Sequence, residues 1–128
     1  MKLAIAVSGD RVANALDFAR RLLLVDCEGG REISRSEAAV VDKLPLNRAR
    51  FLAALGVEVL ICGAVSRFLA ESLVTLGIRI VPFVSGSVAE VLNAYFEDGL
   101  ESGRLLMPGS TEEDRQEWTK AGHQAAAK

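Results

Sequence analysis

The chain has 128 residues, of which 50% are hydrophobic and 25% charged, and its formal net charge at pH 7 is −2. This size and mix are typical of one globular domain, and no apolar run reaches the roughly 18 residues that cross a bilayer, so we expect a cytoplasmic protein without a membrane contact. The near-neutral charge and the 5% aromatic content offer neither the basic surface nor the stacking platforms of a nucleic-acid-binding protein.

The amino-terminal part of the chain predicts three strands joined by short turns. Residues Lys2–Val7, KLAIAV, form an apolar run that leads into Ser-Gly-Asp, which is typical of a buried strand. After a connecting loop, Arg21–Glu28 favours a second strand that stops at Gly29-Gly30, a hairpin signal. Arg31–Val41 is then the return strand. The three strands predict an antiparallel meander.

Helices and strands alternate in the part of the chain after Leu44-Pro45. Helical spacing of apolar residues, glycine stops and capping serines predict the elements. In chain order these are a helix over Leu46–Leu55, a strand over Val57–Cys62, a helix from Ser66 to Gly77, a strand over Ile78–Val84 and a helix that begins at Ser87 or Ser85, with Glu90 completing a capping box with Ser87.

This order of elements predicts an α/β fold. Strand–helix–strand units require parallel strands with right-handed crossovers. We therefore expect a mixed five-stranded sheet, made of the three-stranded antiparallel meander plus two parallel strands and flanked by helices, with the first strand central and next to the fourth. Residues 1–109 are assigned to this single domain. Residues 110–128, which include the single histidine His123, are expected to form a polar, flexible C-terminal tail.

Three loops are expected to meet at the carboxyl edge of this sheet, where open α/β sheets bind ligands. Two of them lead into helix N-termini, whose free N–H groups favour an anion, and arginines stand beside them. An alternative reading is that their serines and glycines serve only as caps and turns. The candidate binding residues are Ser8, Gly9, Asp10 and Arg11 in the first loop, Gly63, Ser66 and Arg67 in the second, and Ser85, Gly86 and Ser87 in the third.

Few residues offer catalytic or metal-binding chemistry. Cys27 and Cys62 have no zinc spacing and are expected to be free thiols. Cys62, at the end of a strand, is either a small core residue or a direct metal ligand. Asp10 and Asp17 could form the carboxylate pair of a small hydrolase, but nothing else supplies a nucleophile and base. We therefore expect a protein without enzymatic activity.

Four segments in this order resemble the dinitrogenase iron–molybdenum cofactor biosynthesis family, which includes the NifX-like proteins and the C-terminal domain of NifB. They are KLAIAVSGDRVANALDFARRLLLVD, LGVEVLICGAVSR, LGIRIVPFVSGSVAEVLNAYFEDG and the closing MPG, and together they cover roughly residues 2–109. The resemblance implies a ribonuclease-H-like fold. It also implies a carrier protein that binds an iron–sulfur or iron–molybdenum cofactor precursor during metallocluster assembly for nitrogen fixation.

The chain departs from this family at two positions. Many relatives place a His-Phe-Gly-like element after the first strand, where this chain has Asp17-Phe18-Ala19, followed by Arg20. Some relatives carry a cysteine after the closing MPG, where this chain has Ser110. A second hypothesis follows from these departures. It is a regulatory or protein-interaction module of the same fold that no longer binds the cofactor and contacts a partner protein.

Overall fold

A mixed six-stranded sheet forms the centre of the computed structural model, which describes residues 1–98, 100 and 105–108. Three helices accompany it in this part of the chain. The strands are β1 (Lys2–Ser8), β2 (Arg11–Val12), β3 (Arg21–Glu28), β4 (Arg31–Ala39), β5 (Val59–Ile61) and β6 (Arg79–Val81), and the helices are α1 (Pro45–Ala54), α2 (Arg67–Thr75) and α3 (Val88–Asp98). The predicted tail over 110–128, with Ser110 and His123, lies outside the described residues.

The topology of the sheet confirms the predicted architecture. The strand order is β4-β3-β1-β5-β6, with β1 antiparallel to β3 and parallel to β5, and β5 parallel to β6. The first strand is therefore central, beside the strand that the sequence predicts as the fourth. Because β1, β5 and β6 run parallel to one another, their carboxyl ends lie at the same edge of the sheet.

The sixth strand, β2, replaces part of the predicted connecting loop. It follows a turn at Gly9, whose φ is +62°, and pairs antiparallel with the end of β1. A 3₁₀ helix over Leu16–Phe18 follows it. Two residues carry no periodicity, so the sequence does not distinguish β2 from a loop.

Hydrophobic clusters cover both faces of the sheet. Alternate residues of β1 point to opposite faces, so that Leu3 and Ile5 belong to one cluster and Ala4 and Ala6 to the other. The first cluster includes residues of α3, and the second includes residues of α1 and α2. The helices therefore lie on both sides of the sheet. No helix in the described part of the chain is long and apolar enough to span a membrane.

The edge strand β4 contains a β-bulge. Its register with β3 shifts so that Cys27 pairs with Glu32 and Asp26 with Ser34, which leaves Ile33 without a partner on β3. The bulge at Ile33 brings Glu32 and Arg35 together, and they form a bidentate ion pair. A bulge and charged side chains are both features that discourage edge-to-edge association with another sheet.

Candidate functional site

The first and third predicted loops lie against each other at the carboxyl edge of the sheet. The Val12 N–H donates to the Gly86 carbonyl at 3.0 Å, and the Val88 N–H donates to the Asp10 carbonyl at 2.8 Å. Arg11 and Ser87 form an isolated antiparallel bridge. The backbone groups of these loops are thus largely used to hold the two loops together.

The second loop lies against the segment between β2 and the 3₁₀ helix. The Ala64 N–H donates to the Asn14 carbonyl and the Leu16 N–H donates to the Ala64 carbonyl, both at 2.8 Å. Gly63 makes this approach possible. A Cβ atom there would lie 2.5 Å from the Ala13 carbonyl oxygen and 2.6 Å from the Asn14 carbonyl oxygen. The glycine is therefore required by space rather than by its dihedral angles.

A side chain of this protein already supplies an anion at the N-terminus of α2. One carboxylate oxygen of Asp17 accepts from the Ser66 N–H at 2.8 Å, and the other accepts from the Ser66 hydroxyl at 2.6 Å. The Ser66 hydroxyl in turn accepts from the Leu69 N–H at 3.3 Å, as an N-cap does. The predicted cap is confirmed, and Asp17 lies where the sequence predicts an external anion.

Replacing Asp17 with alanine is therefore expected to destabilise the protein. The variant loses two hydrogen bonds to a carboxylate and leaves the start of α2 without its anion, so we expect a loss of roughly 2 kcal/mol in the free energy of unfolding. Urea unfolding followed by circular dichroism measures it. Asp10→Ala is the matched control and should change stability by less than about 0.5 kcal/mol, because the Asp10 side chain is exposed. Equal effects of the two substitutions would contradict this role of Asp17.

The N-terminus of α3 is also satisfied from within the chain. The Glu90 N–H donates to the Ser87 hydroxyl and the Ser87 N–H donates to the Glu90 carboxylate, both at 3.1 Å. The predicted capping box is thus confirmed. The hydrogen bond from the Ser87 N–H, and next the interaction with the Ser87 hydroxyl, lower the pKa of the Glu90 carboxyl from its ordinary value, and the nearby Arg11 contributes in the same direction.

Both cysteines are buried, and their environments do not favour thiolates. Cys62 is 0% exposed, and its desolvation, together with the charge of Asp17, raises its thiol pKa to about 12. Burial also raises the pKa of Cys27. A metal ligand must be the deprotonated thiolate. Among the described residues, no three His, Cys, Asp or Glu side chains are grouped so that they could hold a metal ion.

An open groove of about 480 Å³ lies beside the carboxyl end of β1, on the side of β3. It runs between the turn after β1, the segment before the 3₁₀ helix and the start of β3. Phe18 is 82% exposed at its border. The described lining residues are Val7, Ser8, Gly9, Ala13, Asn14, Ala15, Phe18, Ala19, Arg20 and Arg21.

Two arginines line this groove, and one of them forms an ion pair. Arg21 is paired with Glu37 on the neighbouring strand β4. The exposed Arg20 guanidinium forms no hydrogen bond or ion pair with a described side chain. In the described part of the chain Arg20 thus has no side-chain partner, and the exposed polar side chain of Asn14 lines the same groove.

The groove includes only part of the predicted site. Ser8 and Gly9 line it, whereas Gly63, Gly86, Ser66 and Ser87 make the loop contacts and helix caps described above. The Ser85 N–H donates to the Leu105 carbonyl at 2.8 Å. Of the two carboxylates suggested for a hydrolase, that of Asp17 accepts two hydrogen bonds from Ser66, and the Asp10 side chain is exposed. The spacing of motifs did not point to Asn14 or Arg21. Phe18 and Arg20 could have been found only from the resemblance, which matches them.

Comparison with known proteins identifies the family. The model of the family described as "Dinitrogenase iron-molybdenum cofactor" matches residues 1–98, which confirms the resemblance seen in the sequence. No curated protein sequence matches the chain.

Solved structures share the fold. The crystal structure of PH0822 superimposes with a TM-score of 0.74 at 22% identity, covering 86% of this chain and 96% of that one. A candidate dinitrogenase of Methanocaldococcus jannaschii, MJ0327, gives 0.65 at 17% identity, covering 77% and 90%. A candidate NifB protein of Thermotoga, TM1290, described as a member of the DUF35 family, gives 0.61 at 24% identity, covering 77% and 89%. At these identities the likeness shows the fold alone.

Proposed function

We propose that this chain, which belongs to the dinitrogenase iron–molybdenum cofactor family, is a non-enzymatic cytoplasmic carrier that binds an anionic metallocluster precursor, of the iron–sulfur or iron–molybdenum type, in the groove beside β1. Its partners are this precursor and the protein that supplies or receives it, and neither nucleic acid nor membrane is among them. The observation that supports the proposal most is the groove itself, because it is open, lies at the ligand-binding edge of the sheet and contains an arginine available to a ligand.

The cargo is held by charge and hydrogen bonds rather than by cysteine ligands. A sulfur-rich cluster precursor is an anion, and a guanidinium is the side chain best suited to a multivalent anion because it donates several hydrogen bonds in one plane. Arg20 supplies that group, with Asn14 and the polar turn at Ser8 and Gly9 beside it. Cys62 is 0% exposed and is not among the residues that line the groove, so the proposal does not assign it as a direct ligand.

Binding through ionic contacts and hydrogen bonds suits a carrier because such contacts allow the cargo to be released. A carrier must hand its cargo on, and direct metal–thiolate bonds make the cargo harder to release than ionic contacts do. The exposed aromatic ring of Phe18 at the border of the groove offers an apolar surface to the rest of the cargo. Asp17 occupies the position at which many relatives have a histidine. Its carboxylate accepts hydrogen bonds from Ser66, and the residue does not line the groove.

The proposal is tested by anaerobic purification and by titration with a reconstituted iron–sulfur precursor, followed by the visible spectrum and the iron content. We expect stoichiometric uptake by the wild-type protein. Arg20→Met should weaken it about tenfold or more, the loss of one charge-assisted interaction. The matched control is Arg31→Met. Arg31 is the exposed first residue of β4 and pairs with Glu28 at the far end of β3, whereas Arg20 and the groove lie at the start of β3.

Two outcomes would contradict the carrier proposal. One is a folded wild-type protein that takes up no iron, and the other is uptake that Arg20→Met and Arg31→Met reduce equally. The second hypothesis, an interaction module, would then be favoured. Its supporting observation is that the start of α2 and the start of α3 are both capped from within the chain while Phe18 and Phe68 stay 82% and 60% exposed. Exposed aromatic side chains are common anchors of protein interfaces.

A further inference from the structure

Arg48 of α1 is the one charged residue that is buried in the described part of the chain, with 6% of its surface exposed. No carboxylate among the described residues pairs with it. Its Nη1 atom donates to two backbone carbonyls, and its buried Nε atom has no hydrogen-bond partner in the part of the chain that the structure describes. A guanidinium keeps its charge at physiological pH, and buried charges are normally paired because desolvation is costly. This uncompensated charge therefore calls for an explanation.

Arg48 binds the carbonyl of Ala19, which lines the groove, and the carbonyl of Leu16, the first residue of the 3₁₀ helix that contains Phe18. Nη1 lies 2.6 Å from the Ala19 oxygen and 3.3 Å from the Leu16 oxygen, at the two ends of the 3₁₀ helix. Phe18 lies between these two contacts, and Arg20 follows directly after them. The Ala19 carbonyl follows the end of the 3₁₀ helix, where carbonyls lack a partner within the helix and favour a cation. The Leu16 carbonyl also accepts from the Ala19 N–H at 3.1 Å, so that Arg48 adds a second contact there. One buried side chain thus fixes the segment that presents both groove residues.

We infer that Arg48 is the positioning residue of the groove: it clamps the 3₁₀ helix so that Phe18 and Arg20 border the ligand site, and it adds a buried positive charge behind the wall. The ligand class is the multivalent anion of the proposed function, with Arg20 as the group that contacts it; Arg48 does not line the groove and acts through the segment that it holds. The choice of an anion as cargo rests on the proposed function. The clamp itself does not.

The clamp is tested by hydrogen exchange on Arg48→Met, whose unbranched side chain keeps the apolar stem of arginine and lacks the guanidinium. The exposed Arg50 of the same helix gives the matched control, Arg50→Met. We expect amide exchange to accelerate at least tenfold over residues 16–21 in Arg48→Met only. Unchanged exchange in this segment, or equal acceleration throughout the core, would overturn the inference.

The effect on the ligand is tested with molybdate as the probe, by calorimetric titration well below the melting temperature of each variant. Arg48→Met should bind about tenfold more weakly than the wild type. Arg48→Lys, which keeps the charge, should remain within about threefold, and Arg50→Met should be unchanged. A merely structural residue would lower the melting temperature and leave the affinity of the folded protein intact, which would contradict the inference.

The two proposals can fail separately. If the wild-type protein binds neither molybdate nor the iron–sulfur precursor, the carrier function is contradicted. The exchange of residues 16–21 in Arg48→Met against Arg50→Met then decides whether Arg48 positions the groove.

Discussion

Among glycine-to-alanine substitutions at the described glycines, Gly63→Ala is expected to destabilise the protein most. The new Cβ would lie 2.5 Å and 2.6 Å from two backbone oxygens, those of Ala13 and Asn14. Backbone cannot rotate away as a side chain can, so the whole segment must shift. That shift breaks the hydrogen bonds that join Ala64 to Asn14 and Leu16. Overpacking and two lost hydrogen bonds together amount to roughly 3–5 kcal/mol.

Such a loss is a large fraction of the stability of a domain, which is about 5–15 kcal/mol. Urea unfolding of Gly63→Ala, or its failure to accumulate as soluble protein, measures the effect. Gly77→Ala is the control, because Gly77 has a φ of +87° but open space around its Cβ position. It should lose only about 1 kcal/mol through backbone strain. Equal losses at the two positions would show that the contact with the 13–16 segment is not tight.

The second large effect is a loss of stability at alkaline pH that depends on Cys62. Burial raises the folded-state pKa of this thiol from 9.0 to about 12. Below pH 9 both the folded and the unfolded chain hold the proton, so the full contribution is present. Between pH 9 and 12 only the unfolded chain releases it, and the free energy of unfolding falls by about 1.4 kcal/mol per pH unit.

The total expected loss from this thiol is roughly 4 kcal/mol by pH 12. Urea unfolding at several pH values between 8 and 11 measures the slope, and Cys62→Ala is the control that lacks the thiol while keeping Cys27. In Cys62→Ala the free energy of unfolding should fall less steeply with pH, by about 1.4 kcal/mol per pH unit, which corresponds to the release of one proton fewer. The same burial predicts that iodoacetamide does not modify Cys62 in the folded protein. Identical slopes with and without Cys62 would contradict the burial of this group.

The sequence predicts the fold well because the fold depends on local signals. The apolar run in Lys2–Val7, the hairpin at Gly29-Gly30 and the caps at Ser66 and Ser87 each specify an element or its boundary, and all are present in the structure. The short strand β2 was missed, because two residues have no period and their pairing depends on the turn at Gly9.

The candidate site was harder to predict because it depends on contacts between distant segments. Serine and glycine at the loops look the same whether they bind a ligand or only cap helices. Asp17 and Ser66 are 49 positions apart in the sequence, so no local pattern predicts their contact. The apolar spacing of α1 includes Leu46, which is 39% exposed, whereas Arg48 is buried. Only the folded arrangement distinguishes Arg48 from Arg50.

The most direct test of the account is the anaerobic uptake of a reconstituted iron–sulfur precursor by a variant without cysteines, Cys27→Ala/Cys62→Ala, in parallel with the wild-type protein. If the groove holds its cargo through Arg20 and hydrogen bonds, the variant binds the same amount of iron with an affinity within about threefold of the wild type. If the cysteines are the ligands, the variant stays colourless while the wild-type protein takes up iron, and the proposed groove is not the site.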